Sequence, residues 1–263
     1  RTAKSKEEQQ NRTRKSAEVF TPSWICNDMN NLCDDEWLGY TNAFNTKQEH
    51  YWLTNLEKIN FSGKKTWQKY VDSKRLEITC GEAPYLVSRY DTTTGTFIPV
   101  EKRIGLLDRK LRIVSENTAT TREWLEAAKD AYRSIYAYEW QGDSLLLARE
   151  ALLLSFIEYY RNKFGKDPQI KSINHIAYII SWNVWQMDGL KGVVPDSCGE
   201  RVRMEPSLFG TIERREPCEG CLKNDLTKHN GIYCIIKDWR ATDKTTGKKG
   251  KRIRFIDLIN EEE

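Results

Sequence analysis

The chain has 263 residues, enough for one large α/β domain or one domain with a substantial insertion, and its nine Trp and twelve Tyr provide for a sizeable core. With 30% charged residues, no apolar run as long as a transmembrane helix and no visible secretory signal, the sequence argues against a membrane-spanning or exported protein; it opens on Arg1 rather than Met, as a trimmed chain does. The net charge of +4 permits contact with nucleic acid without demonstrating it, because a binding patch requires charges clustered in space.

Residues 1–16 are dominated by Lys, Arg, Glu, Gln and Asn. They read as a solvated helix or disordered arm or, on the sharper reading, as a basic arm touching phosphates through Arg12, Arg14 and Lys15. From Pro22 onward, Trp24, Ile25, Met29 and Leu32 have helical spacing, with Thr21 placed to cap and Pro22 in the first turn. Residues 34–75 are aromatic, polar and irregular, and predict short helices near 49–59 and 66–73. A strand follows at 75–79. Residues 86–121 hold the turn-rich Asp91-Thr92-Thr93-Thr94-Gly95 and an amphipathic stretch at 104–114. Leu125, Ala128, Ala131 and Tyr132 share one face of a helix at 124–136, which leads into a second strand at 136–140. The clearest helix is 143–164, ending near Gly165 with Pro168 beyond. A further helix is expected at 173–180 and a short strand at 183–186.

Strands alternating with helices in this way argue for a parallel sheet. After Gly192 the texture changes: 193–231 carries Pro195, Pro206 and Pro217, several Gly and little periodicity, and reads as a loop-rich insertion. Strand-like segments at 232–237 and 253–259 flank a hydrophilic turn at 242–251. No internal repeat is present.

Four segments bear on chemistry. Leu76-Glu77-Ile78-Thr79-Cys80-Gly81-Glu82-Ala83-Pro84-Tyr85 is a strand ending in a small-residue turn, the place where open α/β sheets bind ligands. Gly81 would let backbone approach a ligand closely, and a plain surface turn is the alternative. Upstream lies Ala17-Glu18-Val19-Phe20-Thr21-Pro22. Downstream lies Tyr136-Ala137-Tyr138-Glu139-Trp140-Gln141-Gly142-Asp143, running into Leu145-Leu146-Leu147-Ala148-Arg149. Last comes Ile179-Ile180-Ser181-Trp182-Asn183-Val184-Trp185-Gln186-Met187-Asp188-Gly189-Leu190.

The seven cysteines are scattered and odd in number, which fits a reducing cytoplasm better than a disulfide framework. Cys218-Glu219-Gly220-Cys221 has the spacing of a metal knuckle. Cys198 and Cys234 could complete a tetrahedral zinc site, with His229 an alternative to either. A loop-rich segment with little core gains most from such a clamp.

In their order, the four segments resemble the S-adenosylmethionine-binding half of the amino-methylating adenine DNA methyltransferases, in particular the methylase subunits of bacterial restriction–modification systems, over residues 14–190. The resemblance implies an α/β, Rossmann-like S-adenosylmethionine-dependent methyltransferase fold, here with a helical N-terminal region and a loop-rich C-terminal insertion. It implies that Phe20 walls the cofactor and that Thr21 and the helix start at Pro22 face its carboxylate. Glu77 would accept from its ammonium group beside the Cys80-Gly81 turn. Glu139 would bridge the ribose hydroxyls, Trp140 would stack on the adenine and Asp188 would accept from the adenine amino group.

The sequence departs from the family pattern with Ile78 for Pro, Glu82 for a small residue, Ala83 for the second glycine and Met187 for Gly. Ala83 fits if its φ is negative, and Glu82 fits if its carboxylate points away from the cofactor. The family's catalytic Asp/Asn/Ser-Pro-Pro-aromatic element has no counterpart, since Pro-Pro occurs nowhere in the chain. Its nearest analogue is Asp238-Trp239, after Ile235-Ile236-Lys237. Either the catalytic segment lies beyond Glu263 or the fold lacks the activity.

The expected organisation is a polar arm at 1–16, a cofactor-binding domain at 17–192, an insertion at 193–231 that zinc could clamp, and a strand-rich return to the same domain at 232–263. The expected function is that of a cytoplasmic DNA adenine methyltransferase-type component of a restriction–modification system, partnered by DNA and a restriction or specificity subunit. The alternative is a catalytically inactive DNA-binding or specificity partner of the same fold, and a third reading is a methyltransferase acting on RNA or protein.

Overall fold

The computed structural model describes residues 20–207 and 210–258; the expected arm with Arg12, Arg14 and Lys15 lies outside them. Two compact units form, the first from residues up to Ala137 together with Gln141–Val184, the second from Tyr138–Trp140 together with Trp185–Glu263. Helices and strands are mixed, and among the described residues the strands fall into four small sheets.

In the first unit, helix α1 (Ser23–Leu38) starts one residue later than expected, with Pro22 rather than Thr21 at the capping position. Pro22 has no polar side-chain group to offer, and Asp91 supplies the cap from a distant turn: its Oδ2 accepts from the Ser23 N–H at 2.7 Å. The helix also turns the opposite face inward from the one its apolar spacing suggests. Met29 and Leu32 are 52% and 70% exposed, whereas Asn27, Asn30 and Asp34 are buried. Each of these polar residues is bonded. Asn27 exchanges hydrogen bonds with Asn45 at 2.9 Å, and Asn30 donates to Tyr85 O at 2.9 Å and Ile104 O at 3.0 Å.

Residues 49–59 are not helical. Strands β1 (Asn45–Lys47) and β2 (Trp52–Thr54) pair antiparallel there, and Tyr51-Trp52-Leu53-Thr54 has the aromatic and β-branched composition that suits a strand. Helix α2 (Trp67–Asp72) is capped by Thr66, whose hydroxyl accepts from Lys69 N at 3.3 Å. Then follow β3 (Arg75–Ile78), a 3₁₀ turn at Val100–Lys102, α3 (Leu106–Asn117), α4 (Thr121–Arg133), β4 (Ile135–Glu139), α5 (Gly142–Phe164), α6 (Ile170–Asn183) and β5 (Val184–Gln186). A reciprocal capping box, Thr120 with Glu123, starts α4. Gly165, at φ +66, closes α5 where expected. Trp124 of α4 packs on Phe156 and Tyr160 of α5, with ring centroids 5.7 and 5.5 Å apart.

The strand order is β3-β4-β5. At the start of β3, Arg75 N donates to Ser134 O just before β4 at 2.9 Å; Met187 N, just past β5, donates to Glu139 O at the end of β4 at 3.0 Å. Starts lie beside starts and ends beside ends, as in parallel neighbours.

Helix α3 departs furthest from its sequence reading. Its apolar residues are buried, and so are Asp108, Arg109 and Lys110. Asp108 Oδ2 accepts from Ser88 N at 2.7 Å and Gly105 N at 3.2 Å, and burial pushes its carboxyl above the usual range. Arg109 donates to Asp34 Oδ2 at 2.7 Å, Asn27 Oδ1 at 2.9 Å and Asn31 Oδ1 at 2.7 Å, and lies 4.9 Å from the Phe44 ring centroid. Lys110 Nζ donates to Val71 O at 3.0 Å, Ser134 Oγ at 2.6 Å and Ser73 O. Asp34 accepts in addition from Tyr70 OH at 2.8 Å and Arg75 Nη2 at 3.3 Å.

The second unit has Tyr138, Trp185 and Phe255 in mutual contact, with centroids 5.4 to 5.8 Å apart. Residues 193–231, expected as loops, contain an antiparallel hairpin of β6 (Arg201–Ser207) and β7 (Gly210–Glu216), then the short helix α7 (Glu219–Lys223). Strands β8 (Ile235–Thr242) and β9 (Lys249–Arg254) extend into the expected turn, and a 3₁₀ turn at Phe255–Leu258 replaces the end of the expected last strand. Among the described residues no helix is long and apolar enough to cross a membrane.

Two outcomes are expected. Arg109→Met should destabilise the fold by about 3–5 kcal/mol, because Asp34 is left buried without its main cation; urea unfolding measures this, and a loss under about 1 kcal/mol would contradict it. The second concerns Asp91. Burial alone would raise its carboxyl, but bonds from the Thr93 hydroxyl and the Ser23 and Thr94 N–H groups bring it from 3.8 down to about 2. A folded-state value below the unfolded one adds stability that is present above pH 3.8 and lost as pH falls through about 2. Asp91→Asn should therefore lower Tm at pH 6, with the gap from wild type closing across that window. A gap that is constant with pH would refute the assignment.

Candidate functional site

The sequence-derived candidates gather in two groups, one in each unit. In the first, the chain ahead of α1 meets the loop after β3. Thr21 O accepts from Thr92 Oγ1 at 2.8 Å, and the Cys26 thiol points at the same carbonyl at 3.9 Å. Burial, with Glu77 and Asp91 nearby, pushes that thiol up to about 12. The N–H of Ser23 at the helix start is already held by Asp91. Phe20 and Pro22 are half-buried beside it.

Glu77 is buried in β3, and its two oxygens accept from Tyr85 N at 3.3 Å and Leu86 N at 3.1 Å. It thus folds the loop back on the strand that carries it. Within the loop, Cys80 is buried and Gly81 has φ +52, with no atom within 4 Å of where a Cβ would stand. Ala83 has φ +61, so the negative φ expected of it is not found. It holds instead a left-handed conformation, at a cost of roughly 1–2 kcal/mol for an L-residue. Glu82 accepts from the Tyr90 hydroxyl.

In the second unit, buried Glu139 ends β4, and Trp140, 38% exposed, follows it. Glu139 O accepts from Met187 N at 3.0 Å and Trp140 O from Gln186 Nε2 at 2.8 Å, which brings Asp188 beside them. Asp188 is buried and closes its own turn: Oδ1 accepts from Leu190 N at 3.0 Å, and Oδ2 lies 3.5 Å from Lys191 Nζ. Gly189 fits because a Cβ would stand 2.8 Å from the Tyr138 hydroxyl. Asp238 is likewise committed to local structure, Oδ1 accepting from Arg240 N at 3.0 Å and Ala241 N at 3.3 Å across an irregularity in β8. The Trp239 ring lies 4.9 Å from Lys237 Nζ. Both belong to a two-stranded hairpin rather than to a rigid turn.

The sulfur-rich group of the second unit is the best-formed site. Cys198, Cys218, Cys221 and His229 each bring one ligand atom, all within 4.8 Å of one another. Cys198 Sγ is 3.2 Å from Cys218 Sγ, 3.5 Å from Cys221 Sγ and 3.3 Å from His229 Nδ1. Zinc bonds of 2.0–2.3 Å in a tetrahedron give edges of about 3.6–3.8 Å, and the observed edges fall close to these. Burial would raise the Cys218 thiol, but the Asn230 N–H at 3.3 Å and the Cys198 thiol bring it down to about 6. Gly220 allows the knuckle to pack on His229, since a Cβ there would stand 2.6 Å from His229 N. Cys234 is not in the group. It is buried, and its thiol donates to Gln186 O at 3.3 Å. The alternative ligand His229 takes the fourth corner because the chain folds back after α7, a tertiary event that spacing does not encode.

No protein-family model, curated protein or solved structure matches the chain.

Proposed function

We propose that the chain is an S-adenosylmethionine-binding, DNA adenine methyltransferase-type component of a restriction–modification system, acting in the cytoplasm on a Rossmann-like α/β framework. The observation that carries this reading is the turn after β3. Gly81 has φ +52 and the space over it is open to an approaching ligand, while Ala83, at φ +61, departs from the negative φ that the resemblance calls for. Further support comes from the β3-β4-β5 order with helices between the strands, and from the buried acid Glu139 at the end of β4. In this reading the cofactor-binding residues are Phe20, Thr21, Pro22, Glu77, Cys80, Gly81, Glu139, Trp140 and Asp188, with the roles that the resemblance implies for each. We further propose that Cys198, Cys218, Cys221 and His229 hold a structural zinc ion, consistent with all seven cysteines being free thiols.

The engagement of Asp238 in its own strand favours a second reading, a catalytically silent DNA-binding or specificity partner of the same fold. Methyl transfer needs an oxygen fixed against the target amine, and misplacement by about 1 Å costs on the order of a hundredfold in rate.

Calorimetry with S-adenosylmethionine tests the cofactor claim. Binding is expected, and Glu139→Ala should weaken it by about 1.5–3 kcal/mol, as for loss of a charged hydrogen bond. No heat from the wild-type chain would sink the cofactor claim, and unchanged affinity in the variant would remove Glu139 from the site. Labelled methyl incorporation into duplex DNA by this chain alone is expected to be absent; incorporation abolished by Asp238→Ala would overturn that and reinstate Asp238-Trp239 as catalytic. For the metal, elemental analysis should return one zinc per chain, retained in Cys234→Ser and lost in His229→Ala. Retention in the histidine variant with loss in Cys234→Ser would reverse the ligand assignment.

A further inference from the structure

We propose that the β8–β9 hairpin binds the phosphate backbone of duplex DNA. Residues 235–254 contain eight Lys or Arg against two Asp, a net +6, whereas the whole chain of 42 basic and 38 acidic residues is +4. The rest of the protein is therefore net −2, and the hairpin concentrates all of the excess positive charge.

The charge is also arranged in space. In the register of the pair, Lys237 stands directly opposite Arg252, with Arg254 next along the same face. Aromatic rings underlie two of the cations: Lys237 Nζ is 4.9 Å from the Trp239 centroid, and Arg254 Cζ is 5.2 Å from that of Tyr233. Arg240, Lys244, Lys248, Lys249, Lys251 and Arg252 are all exposed.

The connecting turn is held rigid by Asp243, whose Oδ1 accepts from Thr245 N at 2.8 Å and Thr246 N at 3.0 Å, so the tip lysines project from fixed backbone. Residues 243–248 carry no large apolar side chain that could enter a lipid interface, which sets a nucleic acid ahead of a membrane as the polyanion. A two-stranded ribbon has dimensions that the major groove of B-form DNA admits. The choice of duplex DNA over RNA rests on the function proposed above; the choice of a phosphate backbone rests on the charges alone.

The test is fluorescence anisotropy of the full chain with a short random-sequence DNA duplex over a range of salt concentrations. Wild type should bind with log affinity falling linearly in log salt. A quadruple variant, Lys244→Gln with Lys248→Gln, Lys249→Gln and Lys251→Gln, should bind at least roughly tenfold more weakly, with a slope shallower by about three to four, at about 0.9 for each phosphate no longer neutralised. The single change Lys248→Gln should flatten the slope by about one, and serves if the quadruple variant does not fold. Equal affinity and slope in the folded variants would overturn the proposal. So would stronger wild-type binding to phosphatidylserine vesicles or to single-stranded RNA than to the duplex. Calorimetry with S-adenosylmethionine separates the two ideas: hairpin-dependent DNA binding without cofactor binding would sink the cofactor reading and leave the hairpin assignment standing.

Discussion

The guanidinium of Arg109 is the interaction on which the first unit depends. It is buried among three α1 side chains, and through Asp34 it joins α1 to Tyr70 of α2 and Arg75 of β3. A buried ion pair does not by itself favour folding, because desolvating both charges offsets their attraction. Here Asn27, Asn31 and Tyr70 supply the additional hydrogen bonds that such a pair requires. Once Arg109 is inside, the polar face of α1 must turn inward to meet it. That orientation leaves Met29 and Leu32 outside and sets the start of α1 against Asp91. It also anchors the beginning of β3, the strand whose far end carries the Gly81–Ala83 turn.

Three acids among the candidate residues share one habit. Glu77, Asp188 and Asp238 all accept backbone N–H groups from turns within their own neighbourhood. Loop backbone that turns away from solvent must find acceptors, and a carboxylate satisfies several donors at once. For Glu77 and Asp188 the local work holds the turn in which each stands. For Asp238 the local bonds fix it to a two-stranded ribbon.

Much of the architecture was legible where local signals agree. Helix α5 combines a long periodic run with Gly165 as its terminator and emerges where expected, whereas α4, expected at 124–136, runs from Thr121 to Arg133 because the Thr120–Glu123 capping box, passed over in the sequence, starts it earlier. Helix α1 was legible as a helix but not in orientation, because its inward face is fixed by Arg109, which is remote in sequence. The charged run Asp108-Arg109-Lys110 gave no sign of burial; carbonyls at Val71 and Ser73 and the hydroxyl of Ser88 make burial possible, and these come from other segments. The β6–β7 hairpin went unread because its residues are exposed on both faces, so no alternation of apolar and polar residues marks it. Of the metal group, the Cys-x-x-Cys knuckle was evident, whereas choosing His229 over Cys234 required knowing how the chain returns after α7.

The placement of that group has a thermodynamic corollary. Cys198 lies just before β6 and Cys218 just after β7, with their sulfurs 3.2 Å apart, so the hairpin springs from two points that a metal ion held by the cluster would tie together. Closing the stretch at its base removes most of the entropy that a free loop would lose on ordering, and beyond that point length matters little, since each doubling costs only about 0.6 kcal/mol. Among the described residues no core residue belongs to the hairpin, whose described side chains are exposed along nearly all of its length. Its length and surface can therefore vary independently of the fold beneath, with the clasp at its root acting as a fixed socket for an interchangeable arm.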